Sequence, residues 1–234
     1  MRVSLFVTCL GDQFFADAAA DAVRLLRHLG VSVDFPEAQT CCGQPAHNSG
    51  HRRDAERMVR HTCRVFDSAE YVVAPSGSCA SMLRTHYPEL APDVGGGIAE
   101  RTYELGQFIV DVLGVTKLGN GLAGRRVGVH HGCHALRELG VEAQPEALLR
   151  GAGAEVVSWA AAKECCGFGG LFSTKMPEVS AAMADHKLET LPDVDVVTSA
   201  DGGCLMQLSG RADRRGSSPP FIHLATMLWE GARG

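Results

Sequence analysis

Two turns of this 234-residue chain place cysteines side by side. They are Cys41 and Cys42 in TCCGQPAHN (40–48), and Cys165 and Cys166 in ECCGFGGLF (164–172). A disulfide between sequence neighbours needs a strained ring, so adjacency suits pairing poorly. Two thiolates aimed at one metal ion or cluster are a better chemical use of it. The chain holds nine cysteines. In a reducing compartment such a set points to metal binding or catalysis and not to a disulfide framework.

Eight of the nine fall into two copies of one pattern. Cys9 and Cys133 are 124 residues apart, as are Cys41 and Cys165, and Cys42 and Cys166; Cys79 and Cys204 are 125 apart. Each copy reads C–x31–CC–x36 or 37–C, and Cys63 alone lies outside it. Four thiolates per copy are enough for a Cys₄ zinc site or an iron–sulfur cluster. Structural zinc usually takes short C–x2–4–C knuckles, and neither copy has one. An iron–sulfur cluster is the favoured reading of this layout, with zinc and thiol–disulfide chemistry as the alternatives. Cys63 shares a helix face with Val59 and Phe66 and reads as packing.

The apolar residues repeat at the same offset. RVSLFVTC (2–9) aligns with RVGVHHGC (126–133), SVDF (32–35) with VVSW (156–159), and EYVVAPSGSC (70–79) with DVVTSADGGC (195–204). These runs read as buried strands. Helical patterns alternate with them: DQFFADAAADAVRLLRHLG closed by Gly30, and SGHRRDAERMVRHTCRVF and MPEVSAAMADHKLETL after the two CCG turns. Pro177 suits a first helical turn. The order predicts an α/β fold of two pseudo-symmetric, Rossmann-like βαβ halves, residues 1–117 and 125–234, joined by KLGNGLAGR (117–125). ERTYELGQFIVDVLG reads as a helix before the joint, DVGGGI (93–98) as a glycine-rich loop, and RADRRGSSPPF (211–221) as an exposed loop before a last helix, HLATMLWEG.

This arrangement puts Cys9, Cys79, Cys133 and Cys204 at the carboxyl ends of parallel strands, where open α/β sheets bind ligands. Helix starts there offer free N–H groups and positive dipole ends, which stabilise thiolates. Gly43 and Gly167 permit a close approach that a side chain would obstruct. The metal-binding candidates are therefore Cys9, Cys41, Cys42 and Cys79 in one half, and Cys133, Cys165, Cys166 and Cys204 in the other.

The stretches FVTCLGDQFF, FPEAQTCCGQPAHNSG, APSGSC, CCGFGGLFSTKMPEVS and LMQLSGR resemble the cysteine-rich CCG-domain family along nearly the whole chain. That family includes the heterodisulfide reductase B subunit, iron–sulfur subunits of glycolate oxidase and anaerobic glycerol-3-phosphate dehydrogenase, and lactate utilization proteins. The resemblance, strongest to the last group, implies an iron–sulfur electron-transfer subunit of a multi-protein complex oxidising L-lactate to pyruvate. Other iron–sulfur subunits would be its partners, and a small 2-hydroxy acid the substrate of the complex. A glycolate oxidase or heterodisulfide-reductase-like subunit is one alternative, and a zinc-stabilised assembly scaffold another. The family pattern ends in C–x2–C, but this chain has Ser76 and Asp201 where its first cysteine would fall. Four thiolates per half then predict one ordinary 4Fe-4S cluster per half, and zinc could occupy the sites of aerobically purified protein.

Other residues near the turns carry weaker signals. His47, His130, His131 and His134 could ligate, donate to sulfur or relay protons. Arg52, Arg53 and Lys175 could hold a small carboxylate, although a solvated helix start explains them as well. GFGG (167–170) lacks the register of a nucleotide fingerprint. Flavin and nicotinamide motifs, Ser-His-Asp sets and paired carboxylates find no match, so the complex must supply hydride chemistry from elsewhere. A net charge of −5 gives no footprint for nucleic acid, and no apolar run is long enough to span a bilayer. MRVSLFVTCLGDQ reads as a first strand and not an export signal, so a cytoplasmic location is expected.

Overall fold

The computed structural model describes residues 1–216 and 219–234. Its framework is a pair of four-stranded parallel sheets. The first is built from β1 (Arg2–Leu5), β2 (Ser32–Asp34), β3 (Tyr71–Ala74) and β4 (Thr102–Glu104), in the order β2-β1-β3-β4. The second is built from β5 (Arg126–Val129), β6 (Glu155–Val157), β7 (Val196–Ser199) and β8 (Phe221–His223), in the order β6-β5-β7-β8. The registers repeat as well: Val3 pairs with Val33 and Tyr71, and Val127 with Val156 and Val196. Residues Val72–Ala74 and all of β7 are buried, as parallel strands covered on both faces require. The two pseudo-symmetric α/β halves expected from the cysteine repeat are present. In each, the chain leaves the first strand toward one side and returns on the other, which opens a crevice at the carboxyl edge.

Each sheet carries one strand more than the apolar runs suggested. ERTYELGQFIVDVLG is not one helix: Thr102–Glu104 pairs with β3, and helical structure begins at Leu105, continuing to Val112 as a π-helical turn. RADRRGSSPPF is likewise not one loop. Its first residues finish the helix Gly202–Asp213, Phe221 opens β8, and residues 217 and 218 lie outside the described residues. Both added strands have three residues, too few for a period to declare itself. DVGGGI contains a short helix, Gly95–Ala99. A Cβ on Gly95 would lie 2.2 Å from the Tyr87 carbonyl oxygen, so close packing explains this glycine better than a loop does. The first long helical pattern is broken at Phe15, giving helices Cys9–Phe14 and Ala16–His28.

The halves share a core. Helix Leu224–Ala232, which ends the second half, packs on Ala16–His28 of the first. In the reciprocal place, helix Ala143–Gly151 packs on Leu105–Gln107. Leu25, Leu26 and Phe108 thereby join Leu148, Leu149, Met227 and Leu228 in one apolar cluster. Burying a side chain of this size contributes about 1.5–3 kcal/mol, so this exchange fixes one sheet edge against the other. Smaller clusters lie under the two CCG turns: Phe6, Val59, Cys63 and Phe66 in the first half, and Trp159, Ala184 and Leu208 in the second. Cys63 thus lies in an apolar cluster with Val59 and Phe66. Among the described residues no helix is long and apolar enough to cross a membrane.

Candidate metal centre

The strand-end cysteines fall inside first helical turns. Cys9 and Cys133 open the helices Cys9–Phe14 and Cys133–Glu138. Cys79 and Cys204 are third in Gly77–Ser81 and Gly202–Asp213. Thr8 caps its helix by accepting from the Gly11 N–H at 2.9 Å. The CCG turns reach the same edge through Gly43 (φ 89°) and Gly167 (φ 86°), both in the left-handed region. A Cβ on Gly167 would also meet the Ser180 carbonyl oxygen at 2.5 Å. The Ser180 hydroxyl in turn donates to the Gly167 carbonyl at 2.8 Å, and the Tyr87 hydroxyl donates to the Cys42 carbonyl at 2.9 Å.

The thiols of each half form a chain of contacts. In the first, Cys9 Sγ lies 3.7 Å from Cys41 Sγ, and Cys42 Sγ lies 3.5 Å from Cys79 Sγ. In the second, Gly167 and Phe168 N–H groups donate to Cys165 Sγ and Cys166 Sγ, each at 3.4 Å. Thiol donation from Cys133 and Cys166, with the Gly167 N–H, pulls the Cys165 pKa down. The same contact with Cys165, followed by burial, pushes Cys133 up. Cys166 is pushed up by Cys165, Cys204 and burial. Its contact with Cys41 raises Cys9, and Cys42 raises Cys41. Cys41 lowers Cys42, but Cys79 and burial carry that thiol upward. Four thiols so close cannot all ionise without a cation among them. A bound metal removes that repulsion and displaces the protons.

All eight cysteines of the repeat line a single cleft of about 240 Å³ between the halves. Leu10, Phe168 and Leu171 give it apolar walls, and Gln44, Asn48 and His134 add polar groups. Ser76 and Asp201, the two departures from the family pattern, meet here. The Ser76 hydroxyl donates to Asp201 Oδ1 at 3.0 Å, and the Ser78 N–H donates to the same oxygen at 2.8 Å. Ser76 also caps the helix that carries Cys79. A Cβ on Gly132 would lie 1.9 Å from Asp201 Oδ2. The buried pair is therefore a clasp joining the halves in the cleft wall, held where only glycine fits.

The other anticipated residues separate. His134 lines the cleft and bonds Glu138 at 2.8 Å. His131 is buried against Glu146, 3.2 Å away. His47 stacks near His86, ring centroids 4.6 Å apart, and does not line the cleft. Arg52, Arg53 and Lys175 are exposed and do not line it either. His130 is buried beneath the second quartet. One of its ring nitrogens and the Cys166 and Cys204 sulfurs lie within 4.8 Å of one another.

Reading the sequence did not single out Lys187, which is fully buried beside the second CCG turn. Its ammonium donates to the carbonyls of Ala161, Ala162 (3.1 Å) and Glu164 (3.2 Å) and sits 4.3 Å from the Trp159 ring centroid. Burial lowers its pKa to about 8, against the pull of neighbouring thiols. The available signal was its spacing from Ser180 and Ala184, the other buried positions of the same helix. Glu104 was also missed, because a lone glutamate within a run read as helix looks like a surface residue. Burial raises its pKa to about 7.

The sequence profile of the cysteine-rich domain family CCG matches residues 3–84 and 127–209. Lactate utilization protein A of Geobacillus sp. strain WCH70 is 46% identical to this chain, over 97% of this chain and 99% of that one. The proteins of the same name from Bacillus velezensis and Oceanobacillus iheyensis are 45% and 43% identical, over 97% of this chain and 99% and 96% of theirs. The crystal structure of a hypothetical protein from Helicobacter pylori superposes with a TM-score of 0.67 at 10% identity, which supports the fold alone. It covers all of this chain, which spans about half (49%) of that one. The chain belongs to the cysteine-rich CCG-domain family, with the lactate utilization A proteins it matches along nearly its whole length.

Proposed function

We propose that this chain takes part in lactate utilization as an iron–sulfur electron-transfer subunit of a multi-protein complex that oxidises L-lactate to pyruvate. The observation that carries the reading is the opening of two thiol quartets onto one cleft. Cys9, Cys41, Cys42 and Cys79 would hold one cluster in the half spanning 1–117. Cys133, Cys165, Cys166 and Cys204 would hold the other in the half spanning 125–234. The names of the curated relatives supply the lactate context. Oxidation of a 2-hydroxy acid to a 2-oxo acid releases two electrons and two protons. Bound clusters would store and pass electrons one at a time. The chain's own residues supply soft thiolate donors, N–H groups aimed at sulfur, and apolar cleft walls that limit water. No organic cofactor motif accompanies them in the sequence, so partner subunits would share the oxidation.

Zinc is the second reading, and the sulfur spacing favours it. The sulfur separations of 3.5 and 3.7 Å approach the ~3.8 Å edge of a tetrahedron built on Zn–S bonds of about 2.3 Å. Against it, structural zinc usually takes short C–x2–4–C knuckles, and neither half has one. Anaerobic purification followed by iron, sulfide and zinc analysis separates the two. About four irons per half are expected. Cys42→Ser and Cys166→Ser should each remove one half's iron, and Cys63→Ser none. A colourless protein with stoichiometric zinc, or full iron in both turn variants, would refute the cluster reading. Reconstituted protein alone should reduce no dye with lactate until partner proteins are added.

A further inference from the structure

The two quartets are alike in their thiols but not in what stands behind them. His130 is 2% exposed, and among the described residues neither of its ring nitrogens makes a hydrogen bond of normal distance and angle, the Ala162 backbone offering only a weaker contact. A buried imidazole left in that state is costly. One nitrogen, Cys166 Sγ and Cys204 Sγ lie mutually within 4.8 Å. Nitrogen and two soft sulfurs at that spacing are a ligand set for zinc or iron. The ring also borders a small cavity of about 20 Å³ behind the cleft, shared with Glu104 and Asp201. That is room for one water. Metal-bound histidines commonly donate their second N–H to such a partner.

The first half has nothing comparable. Phe6 stands 124 residues before His130, fully buried, with its ring 5.6 Å from Phe66. The other histidine near that quartet, His47, stacks against His86 instead, ring centroids 4.6 Å apart.

We infer that His130 is a nitrogen ligand of the second metal site, which therefore has five protein donors while the first has four thiolates. This inference rests on the cluster reading above, but it fails separately. It adds a neutral donor, so one iron of the second cluster would carry the imidazole beside its thiolate, with no more negative charge than in the first.

The test uses the full chain carrying ¹⁵N-histidine, with clusters reconstituted and reduced by one electron. Cys42→Ser isolates the second site and Cys166→Ser isolates the first. Pulsed EPR of the Cys42→Ser protein should show a nitrogen coupling of the size expected for direct bonding, and the Cys166→Ser protein none. His130→Phe, which copies the first half, should abolish that coupling and leave the first site's spectrum unchanged. The isotope measurement needs no change at His130, so a misfolded His130→Phe would not spoil it. One cluster in Cys42→Ser with no directly bonded nitrogen overturns this inference alone. If Cys42→Ser and Cys166→Ser both retain full iron, or no cluster forms, the cluster reading fails and this inference with it.

Discussion

The first CCG turn is braced by neutral groups, the second by a buried charge. The Val7 N–H donates to the Gln39 side chain at 2.8 Å, and that side chain donates back to the Leu5 carbonyl at 3.1 Å. Its counterpart, the His131 N–H, donates to the Ala162 carbonyl at 3.1 Å. Beneath the turns, Phe6 and Cys63 in one half face His130 and Lys187 in the other, each pair 124 residues apart. Trp159, aligned with the exposed Phe35, closes over the ammonium and donates to Thr190 at 3.1 Å. Two copies of one backbone thus hold the same thiols with different chemistry behind them. The lesson is that positioning four sulfurs requires only the strand ends and the glycine turn, and leaves the supporting layer free to vary. That layer sets local charge, and through it the environment of anything the sulfurs hold.

The largest break in this comparison should come from Lys187→Met. The Glu164 carbonyl loses its donor, at about 1–3 kcal/mol, and the Ala161 and Ala162 carbonyls, which keep the Glu164 and His131 N–H groups, each lose one of two hydrogen bonds, at about 0.5–1.5 kcal/mol, offset by the ammonium's own desolvation. A loss of about 3 kcal/mol is expected in urea unfolding of the metal-free protein. Cys63→Ala, at the aligned position, should cost roughly 1 kcal/mol by loss of packing. Equal effects would mean the second turn does not depend on its buried charge.

A second contrast lies at the caps of the last helix in each half. Glu104 accepts from the Gln107 N–H at 3.0 Å, and His223 Nδ1 accepts from the Ala225 N–H at 3.2 Å. Burial makes both prefer the neutral form: Glu104 rises to about 7, and His223 falls to about 4. Their pH dependences have opposite sign. Glu104 contributes stability that is present below about pH 4.5 and lost as pH rises through 7. His223 contributes stability that is present above about pH 6.5 and lost as pH falls through 4. Each window amounts to about 3 kcal/mol. Stability profiles of Glu104→Gln and His223→Asn, each subtracted from the parent's, should therefore slope in opposite directions between pH 4 and 7. Parallel slopes would show that the two caps are not neutral counterparts.

The smallest effect tests the clasp that joins the halves. Ser76→Ala removes one hydrogen bond to Asp201 and the cap of the helix bearing Cys79, for about 1–2 kcal/mol. Because the shared core also holds the halves together, unfolding should remain a single transition. Separate transitions for the two halves would mean that the clasp, and not the core, couples them.

The cysteine register, the alternation of strands with helices and the glycine after each cysteine pair were legible in the amino-acid order. Each depends on local rules: period, turn conformation, and the soft chemistry of sulfur at a fixed spacing. β4 and β8 were not legible, because three residues at a sheet edge take their conformation from the strand beside them. Lys187 and Glu104 read as surface residues because charge in a sequence does not report burial. The meeting of Ser76 with Asp201, and of both quartets on one cleft, was decided only by the tertiary structure. Those residues are 125 positions apart, and they meet because Leu224–Ala232 packs across onto the other half's first long helix. Local sequence determines which atoms stand at each sheet edge; only long-range packing determines that two edges face each other.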